Sequence, residues 1–334
     1  MSFDANILRR AAGQLEKTRR DEAQRVARLR TRVYAADPRI RELDQELQGT
    51  MAGLVAAALR RGEDSSEAVR AVREENLALQ QERAALLAAQ GLAPDALDEK
   101  PHCRLCGDTG WRGTEMCSCL RDLCTKEQIR ELSKLLDLGG QSFDTFRLDY
   151  YSETPWPDRW ASPRENMELV FEVCLNYAQK FGRFSIRNLF LTGAPGLGKT
   201  FLSACIARTV SEEGHSVVYD TAGSVFSQFE ARHFRRDAQD LREAQDETRR
   251  YLSCELLILD DLGSEWVTPL SQAALYELIN TRLSEGLHTV ISSNLSLEEA
   301  ARRYPSQVIS RLEGEYHVLH FFGEDIRILK KNSL

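Results

Sequence analysis

The sequence predicts an α/β protein in which a parallel β-sheet flanked by helices follows an α-helical region and a small cysteine-rich module. Three features of the 334-residue chain lead to this fold class. From about residue 162, short apolar runs of strand character alternate with helical stretches, which is the pattern of a parallel sheet. The residues before about 100 are rich in Ala, Leu, Arg and Glu, as long helices are. Between these two parts, four cysteines fall within residues 103–119.

The bulk composition is that of a folded soluble chain, with 42% hydrophobic and 28% charged residues. The length predicts two or three domains. A net charge of -7 excludes a protein covered by nucleic acid on all sides, but it leaves room for a local basic groove. The start lacks an apolar signal core and no apolar run reaches the roughly 18 to 20 residues that span a bilayer, so we expect a cytoplasmic protein.

The first region, residues 1–99, is predicted to be α-helical. Asp37 and Pro38 have the character of a helix cap followed by proline at the first helical position. An apolar stripe then recurs at spacings of three and four, which indicates one helix face, and it comprises Ile40, Leu43, Leu47, Met51, Leu54 and Ala58. Such a stripe serves either packing of the region against itself or docking of a partner. We predict a partner-binding region.

Three further parts follow along the chain. Residues 100–136 are predicted to form a metal-binding module with a short helix, and residues 137–161 a linker marked by Gly, Pro and aromatic residues. Residues 162–334 are predicted to form the α/β domain, with strand-like runs at 188–192, 216–220, 255–260 and 288–293.

A glycine-rich loop, GAPGLGKT, lies between the first of these strands and a helix. This pattern turns backbone N–H groups towards phosphates at a helix N-terminus, whose dipole favours anions. The lysine then reaches the β- and γ-phosphates, and the final hydroxyl coordinates Mg²⁺. We therefore predict that ATP and Mg²⁺ bind here, through Gly193, Ala194, Pro195, Gly196, Leu197, Gly198, Lys199 and Thr200.

Polar residues follow two later strands. The run LLILDDLG delivers Asp260, predicted to hold Mg²⁺, and Asp261, predicted to orient or deprotonate the attacking water. Two acidic residues at a strand end also suit a solvated turn, but the upstream phosphate loop favours the catalytic interpretation. Asn294 ends the next strand, where an amide can position water or contact the γ-phosphate. Arg311, near a helix end, is either a solvated arginine or a cation that completes a neighbouring subunit's site.

The cysteines Cys103, Cys106, Cys117 and Cys119 have the spacing C-x2-C-x10-C-x-C. Two close pairs can bring four thiolates onto one tetrahedral ion, so we predict a closed, structural zinc site. His102 and Cys124 are alternative ligands for one position. The unrelated cysteines Cys174, Cys205 and Cys254 lie in apolar segments and are expected to be core residues.

Together, the glycine-rich loop, LLILDDLG, the strand ending in Asn294 and ISRLEG resemble the AAA+ ATPases of the DnaC/DnaI helicase-loader type, a group that includes the IstB transposition helpers. The resemblance covers about residues 143–334. It implies that residues 193–200 are Walker A, Asp260 and Asp261 Walker B, Asn294 sensor 1 and Arg311 an arginine finger. Asp261 stands where many AAA+ proteins have Glu, and Arg327 is a candidate for sensor 2.

The resemblance also implies the function and the partners. A zinc module ahead of the ATPase is similar to loaders of the DnaI kind, so we expect binding to the replicative DNA helicase, to single-stranded DNA and to further copies of the ATPase domain. A transposition helper and a nucleotide-regulated adaptor or chaperone are the alternatives. Residues 222–250 contain a mixture of aromatic and basic residues that suits single-stranded DNA or an amphipathic helix, namely Phe226, Phe229, His233, Phe234, Arg235 and Arg236.

Overall fold

The structure is a computed structural model. It describes residues 3–59, 65–138, 140–157, 159, 161–234 and 248–332. The chain divides into two compact units. One comprises Ala12–Cys119, and the other comprises Met1–Ala11 together with Leu120–Leu334. None of the helices in the described residues has the length and apolar character needed to cross a bilayer.

The helices of the first region are α1 (Ala5–Ala36), α2 (Pro38–Leu59) and α3 (Ser65–Ala89). As the Asp-Pro pair predicts, α2 begins at Pro38, and the Asp37 carboxylate accepts a hydrogen bond from the Arg39 N–H at 3.0 Å. Val33, Ile40, Leu87 and Leu97 form a buried cluster in the unit Ala12–Cys119. Leu43 is also buried, whereas the side chains of Met51, Leu54 and Ala58 lie outside the described residues. The cysteine-rich segment adds a two-stranded antiparallel hairpin, β1 (Trp111–Arg112) and β2 (Glu115–Met116).

The second unit contains a five-stranded parallel sheet. Its strands are β3 (Asn188–Gly193), β4 (Val217–Thr221), β5 (Leu256–Leu262), β6 (His288–Ser293) and β7 (His317–Phe321). The helices described around them are α4 (Ser118–Leu132), α5 (Pro163–Gln179), α6 (Lys199–Glu212), α7 (Ala222–Phe234), α8 (Pro269–Ser284), α9 (Leu297–Ala301), α10 (Ser306–Glu315) and α11 (Ile326–Asn332). The predicted fold class, a parallel sheet flanked by helices after a helical region, is confirmed.

Strand order in the sheet is β4-β5-β6-β3-β7. The central strands are largely buried, and consecutive residues of a strand point to opposite faces of the sheet. Leu189 and Leu191 of β3 belong to one buried cluster, and Phe190 between them belongs to the other. Since all five strands are parallel, their carboxyl ends meet at one edge of the sheet. The loops after β3, β5 and β6 are therefore neighbours there, which is where open parallel sheets bind ligands.

Local sequence signals fix where two of the flanking helices begin. Ser162 caps α5, its hydroxyl accepting from the Glu165 N–H while the Glu165 carboxylate accepts from the Ser162 N–H, and Pro163 follows the cap. Thr268 and Ser271 form the same reciprocal box at the start of α8, followed by Pro269. These boxes satisfy N–H groups that a helix start otherwise leaves unpaired.

One buried cation ties α8 to the sheet. The Arg282 side chain is fully buried, and its guanidinium donates to the backbone carbonyls of Tyr251 (2.7 Å), Cys254 (3.0 Å) and His288 (2.6 Å). It also donates to the Thr289 hydroxyl at 3.0 Å. Removal of the arginine would leave these acceptors without their donor, and a buried carbonyl without a donor is costly.

Replacing Arg282 with Met should therefore destabilise the α/β unit by about 3 kcal/mol or more, since each buried acceptor left without a donor costs roughly 1–3 kcal/mol. Urea unfolding followed by circular dichroism measures the change. The exposed Arg302 provides the control, and Arg302→Met should change stability by less than about 0.5 kcal/mol. Equal midpoints for the two variants would contradict the structural role of Arg282.

Candidate nucleotide site and metal centre

The glycine-rich loop connects β3 to α6 and requires glycine at two of its positions. Gly196 and Gly198 have φ angles of 79° and 95°, in the left-handed region that side chains disfavour. A Cβ at Gly196 would lie 2.0 Å from the Asp325 carboxylate, and one at Gly198 would lie 2.7 Å from the Tyr151 hydroxyl. These side chains thus approach the loop backbone closely, and the positive φ angles are the main reason for glycine at both positions.

Lys199, the first residue of α6, points back over this loop. Its ammonium group donates to the carbonyls of Gly193 (2.5 Å) and Ala194 (2.8 Å) and to the Asn294 amide oxygen (2.8 Å). Burial lowers the pKa of Lys199 to about 8, and the nearby carboxylates of Asp260 and Asp261 oppose that shift. The loop therefore contains one cation placed to meet phosphate oxygens.

Asp260, near the end of β5, is buried and surrounded by hydroxyl groups. Thr200 donates to its Oδ2 at 3.2 Å and Tyr219 donates to the same oxygen at 2.5 Å, while Ser292 donates to Oδ1. Burial, together with the Asp260 charge, raises the pKa of Tyr219, so this phenol stays protonated and remains a donor. A hydroxyl and a carboxylate at this distance provide the oxygen ligands that Mg²⁺ prefers, so Thr200 and Asp260 fit the predicted magnesium site.

Asp261 lies where the pairing of β5 with β6 is interrupted. The register shifts between Leu259 and Leu262, and Asp261 has a φ of 58°. Its N–H donates to the Ser292 hydroxyl at 3.1 Å, and its carboxylate accepts from the Asn294 amide at 2.8 Å. This irregularity redirects the Asp261 side chain, so that Asp260 contacts Thr200 while Asp261 contacts Asn294.

Asn294 joins the two halves of the site. Its amide oxygen accepts from Lys199, and its amide nitrogen donates to Asp261. The structure thus brings together all the predicted residues of the loop, both carboxylates and Asn294. The roles assigned to these residues remain predictions.

The same cleft, about 580 Å³ in volume, includes residues that the sequence analysis missed. Phe146 and Tyr151 stack with ring centroids 5.9 Å apart, and the Tyr151 hydroxyl donates to the Leu197 carbonyl at 2.9 Å. Arg147 and Lys330 lie over the Tyr150 ring, at 4.9 and 5.1 Å from its centroid. The aromatic residues of the segment 137–161, interpreted from the sequence only as a linker, were the available signal. These aromatic rings offer an apolar surface for stacking beside the phosphate loop.

Arg327, the candidate for sensor 2, also lines this cleft. Arg311 does not line it. The Arg311 guanidinium donates to the Asn280 amide oxygen at 2.8 Å and to the Gln307 carbonyl at 2.9 Å, and it lies over the Tyr276 ring. Within one chain, Arg311 is therefore not part of the nucleotide cleft.

The aromatic residues proposed for DNA stacking in 222–250 divide into two groups. Phe226 and Phe229 are buried in the core of the α/β unit, so these two rings are not available to bases. The side chain of Phe234, together with Arg235 and Arg236, lies outside the described residues.

Comparison with known proteins agrees with this geometry. Residues 183–333 match the family model described as IstB-like ATP binding protein. These residues form an IstB-like ATP-binding domain. The predicted family resemblance is confirmed at the level of this domain, and so is ATP as its ligand.

Two curated relatives match parts of the chain. The uncharacterized protein YdaV of Escherichia coli is 24% identical over 125 residues, 37% of this chain and 48% of YdaV. The replicative helicase loader DnaI of Bacillus subtilis is 28% identical over 119 residues, 35% of this chain and 36% of DnaI. The matched segment thus spans half or less of the length of either relative.

A crystal structure of the DnaC helicase loader is 18% identical, covers 56% of this chain and 99% of its own, and has a TM-score of 0.44. A crystal structure of DnaI is 19% identical, covers 57% of this chain and 93% of its own, with a TM-score of 0.42.

In the unit Ala12–Cys119, the four predicted cysteines form one group whose sulfur atoms all lie within 4.8 Å of one another. The Sγ atoms of Cys103 and Cys117 are 3.7 Å apart, and those of Cys106 and Cys119 are 3.4 Å apart. A tetrahedral zinc ion with Zn–S bonds of about 2.3 Å requires sulfur atoms about 3.8 Å apart. The thiols therefore fit such an ion. The alternative ligands, His102 and Cys124, are not members of this group in the described part of the chain.

The buried carboxylate of Asp108 holds the backbone of the cysteine loop by hydrogen bonds. Asp108 accepts from the backbone N–H groups of His102 at 2.9 Å and Cys103 at 2.7 Å. The Gly110 N–H donates to the Cys106 sulfur at 3.3 Å, which favours a thiolate there. Backbone groups thus hold the first two ligands in place.

Replacing Asp261 with Asn should stop ATP turnover and leave ATP affinity within a few-fold of normal, because only the water-orienting carboxylate is lost. Lys199→Ala should instead weaken ATP binding by roughly 100-fold or more, because the phosphates lose their hydrogen bonds to the ammonium group, each worth about 1.5–3 kcal/mol. Calorimetry and phosphate release separate the two effects. Lys180→Ala, which removes an exposed lysine that does not line the cleft, serves as the control. Normal hydrolysis by Asp261→Asn would remove this residue from the mechanism.

Purified protein should contain about one zinc per chain, because four thiolates form one closed site. The double variant Cys103→Ser and Cys106→Ser should lose the metal and unfold the cysteine loop, while ATP affinity remains near normal because separate domains respond nearly independently. Elemental analysis of protein prepared without chelator, with thiols reduced, measures the content. Metal-free wild-type protein would refute the site.

Proposed function

We propose that this protein is an ATP-dependent DNA replication factor that binds the replicative helicase and places it on single-stranded DNA, with ATP binding and hydrolysis as the switch. The observation that carries the proposal is the combination of the nucleotide site with a curated relative named as a replicative helicase loader. The cysteine group ahead of the ATPase adds support, because a zinc module in this position resembles loaders of the DnaI kind. We assign residues 1–135 to helicase binding.

We assign the following roles at the nucleotide. Lys199 neutralises the β- and γ-phosphates, Thr200 and Asp260 hold Mg²⁺, and the stacked rings of Phe146 and Tyr151 lie beside the phosphate loop. Mg²⁺, when bound, neutralises charge that develops on the phosphates. Asp261 orients the water that attacks the γ-phosphate, and Asn294 fixes the Asp261 carboxylate by hydrogen bonding.

A switch is inherent in the position of Asn294. Its amide contacts Lys199 on one side and Asp261 on the other. A phosphate that draws the lysine ammonium away from the Asn294 oxygen frees that oxygen to contact the attacking water. Nucleotide binding and the orientation of Asp261 are thereby linked through one side chain.

A transposition helper of the IstB type is the second candidate, and the family match of residues 183–333 is the observation that favours it. Such a protein would bind duplex DNA and a transposase. A nucleotide-regulated adaptor, the third alternative, would show ATP turnover that does not respond to any DNA.

Two measurements test the leading proposal. The purified chain should recover the replicative helicase of its host from extract, and it should stimulate helicase-dependent unwinding of forked DNA with ATP present. The Cys103→Ser and Cys106→Ser variant should lose helicase capture and keep ATP binding. Recovery of a transposase without helicase would overturn the proposal in favour of the second candidate.

Arg311 provides a further test, because it lies outside the nucleotide cleft of its own chain and we propose that it acts across a subunit interface. Arg311→Ala should keep ATP affinity and lose turnover, by up to roughly 10³-fold if the arginine stabilises the transferring phosphoryl group as in GTPases. Wild-type turnover per chain should rise with protein concentration.

Mixing Arg311→Ala with Lys199→Ala should restore part of the activity, since one interface can pair an intact loop with an intact arginine. Arg183→Ala, another exposed arginine, should behave as wild type. Turnover that is independent of concentration, together with no rescue on mixing, would leave Arg311 as a surface residue.

A further inference from the structure

Trp266 projects into solvent from the turn between β5 and α8. It is 93% exposed, the most exposed of the large hydrophobic residues in the described part of the chain. Its neighbour Val267 is 37% exposed. Tryptophan is usually buried to a large extent, so an almost fully exposed ring indicates a surface for binding.

The turn that presents Trp266 is fixed on both sides. Before the tryptophan, the Gly263 N–H donates to the Glu265 carboxylate at 2.7 Å, and the Tyr304 hydroxyl donates to that same carboxylate. After it, Thr268 caps α8 and donates to Glu230 at 3.1 Å. The ring is thus held on an ordered turn, which lowers the entropy lost on binding a ligand.

Two arginines belong to the segment that packs against this turn. Arg303 donates from its guanidinium to the Gly263 carbonyl, three residues before the tryptophan. Arg302, beside it in sequence, is exposed. Glu265 accepts hydrogen bonds from Gly263 and Tyr304, and Glu299 interacts electrostatically with both Arg302 and Arg303. The turn therefore combines one exposed aromatic ring with nearby cations.

We propose that Trp266 stacks on a base of single-stranded DNA, while Arg302 and Arg303 face the phosphates of that strand. In the same proposal, binding of the strand changes the turn that orients Asp261. The inference rests on the proposed function, which it extends by naming a contact surface and a regulatory route. Aromatic rings beside cations are the means by which proteins hold single strands without sequence preference.

A single-stranded nucleic acid fits this surface better than a second copy of the chain does. Protein interfaces depend on anchors that are enclosed by a ring of neighbouring contacts. In this turn the exposed apolar residues are Trp266, Val267 and Pro269, and the polar residues Ser264 and Thr268 lie among them. A single exposed ring among small and polar residues offers one anchor to a protein but a complete stacking face to a base.

The turn begins at the proposed catalytic carboxylate. The Ser264 hydroxyl donates to the Asp261 carbonyl at 2.8 Å, and the Ser264 N–H donates to the same oxygen at 3.3 Å. Asp261 has the left-handed φ of 58°, so its side-chain direction depends on how this turn is held. A strand bound at Trp266 therefore acts on the backbone that orients Asp261, and DNA should change the rate of ATP hydrolysis.

Binding to fluorescently labelled oligo(dT), measured by anisotropy, tests the contact. Trp266→Ala should weaken binding by about 5- to 100-fold, the range expected for loss of one stacked base, and Trp266→Phe should retain most of the affinity. Leu169→Ala, which removes another exposed apolar side chain (66% exposed), should bind as wild type. ATP turnover without DNA should be unchanged in Trp266→Ala, and its response to oligo(dT) should be lost.

The outcomes separate this inference from the proposed function. If wild type binds oligo(dT) and Trp266→Ala binds equally well, the contact is wrong and the loader proposal stands. If wild type captures helicase but does not bind oligo(dT), the contact is wrong and so is the DNA-loading step. If Trp266→Ala changes the sedimentation of the protein without DNA, the ring contacts a second copy of the chain, and the inference is overturned.

Discussion

The hydrogen bonds around the buried Asp260 carboxylate are the interaction on which the site depends. Hydroxyl groups from three elements converge on it, namely Thr200 from α6, Tyr219 from β4 and Ser292 from β6. A buried carboxylate requires such donors because the protein interior solvates charge poorly. Since the donors come from separate strands and a helix, they also fix the phosphate loop relative to the sheet edge. Tyr219 and Ser292 therefore position Asp260, although neither belongs to the glycine-rich loop or to the acidic pair.

A second constraint follows from the irregular end of β5. Two adjacent residues of a regular strand point to opposite faces, so a regular β5 would direct the Asp260 and Asp261 side chains away from each other. The register shift and the positive φ at Asp261 change the direction of the second side chain. Strain of this kind is found at functional sites. Here it places Asp261 against Asn294 and begins the turn that leads to Trp266.

The two compact units combine different sources of stability. The α/β unit has buried apolar clusters on both faces of its sheet, together with the buried guanidinium of Arg282. The cysteine loop has little apolar core of its own, which is the usual reason for a short segment to depend on a metal ion. Its four thiols are brought together by a small hairpin and by the hydrogen bonds that two backbone N–H groups donate to Asp108.

The sequence by itself determined the parallel sheet, the phosphate loop, the two carboxylates and the cysteine group, because each depends on short-range patterns: apolar runs, glycine spacing, or ligand spacing. The tertiary structure alone decided which residues surround the phosphate loop and the two carboxylates. Tyr219 and Ser292 act on Asp260 because parallel strands end at one edge, and Phe146 and Tyr151 reach the phosphate loop from a segment that has no local motif. The burial of Phe226 and Phe229 and the exposure of Trp266 were likewise beyond prediction, because burial depends on residues that are distant in sequence and become neighbours only when the chain folds.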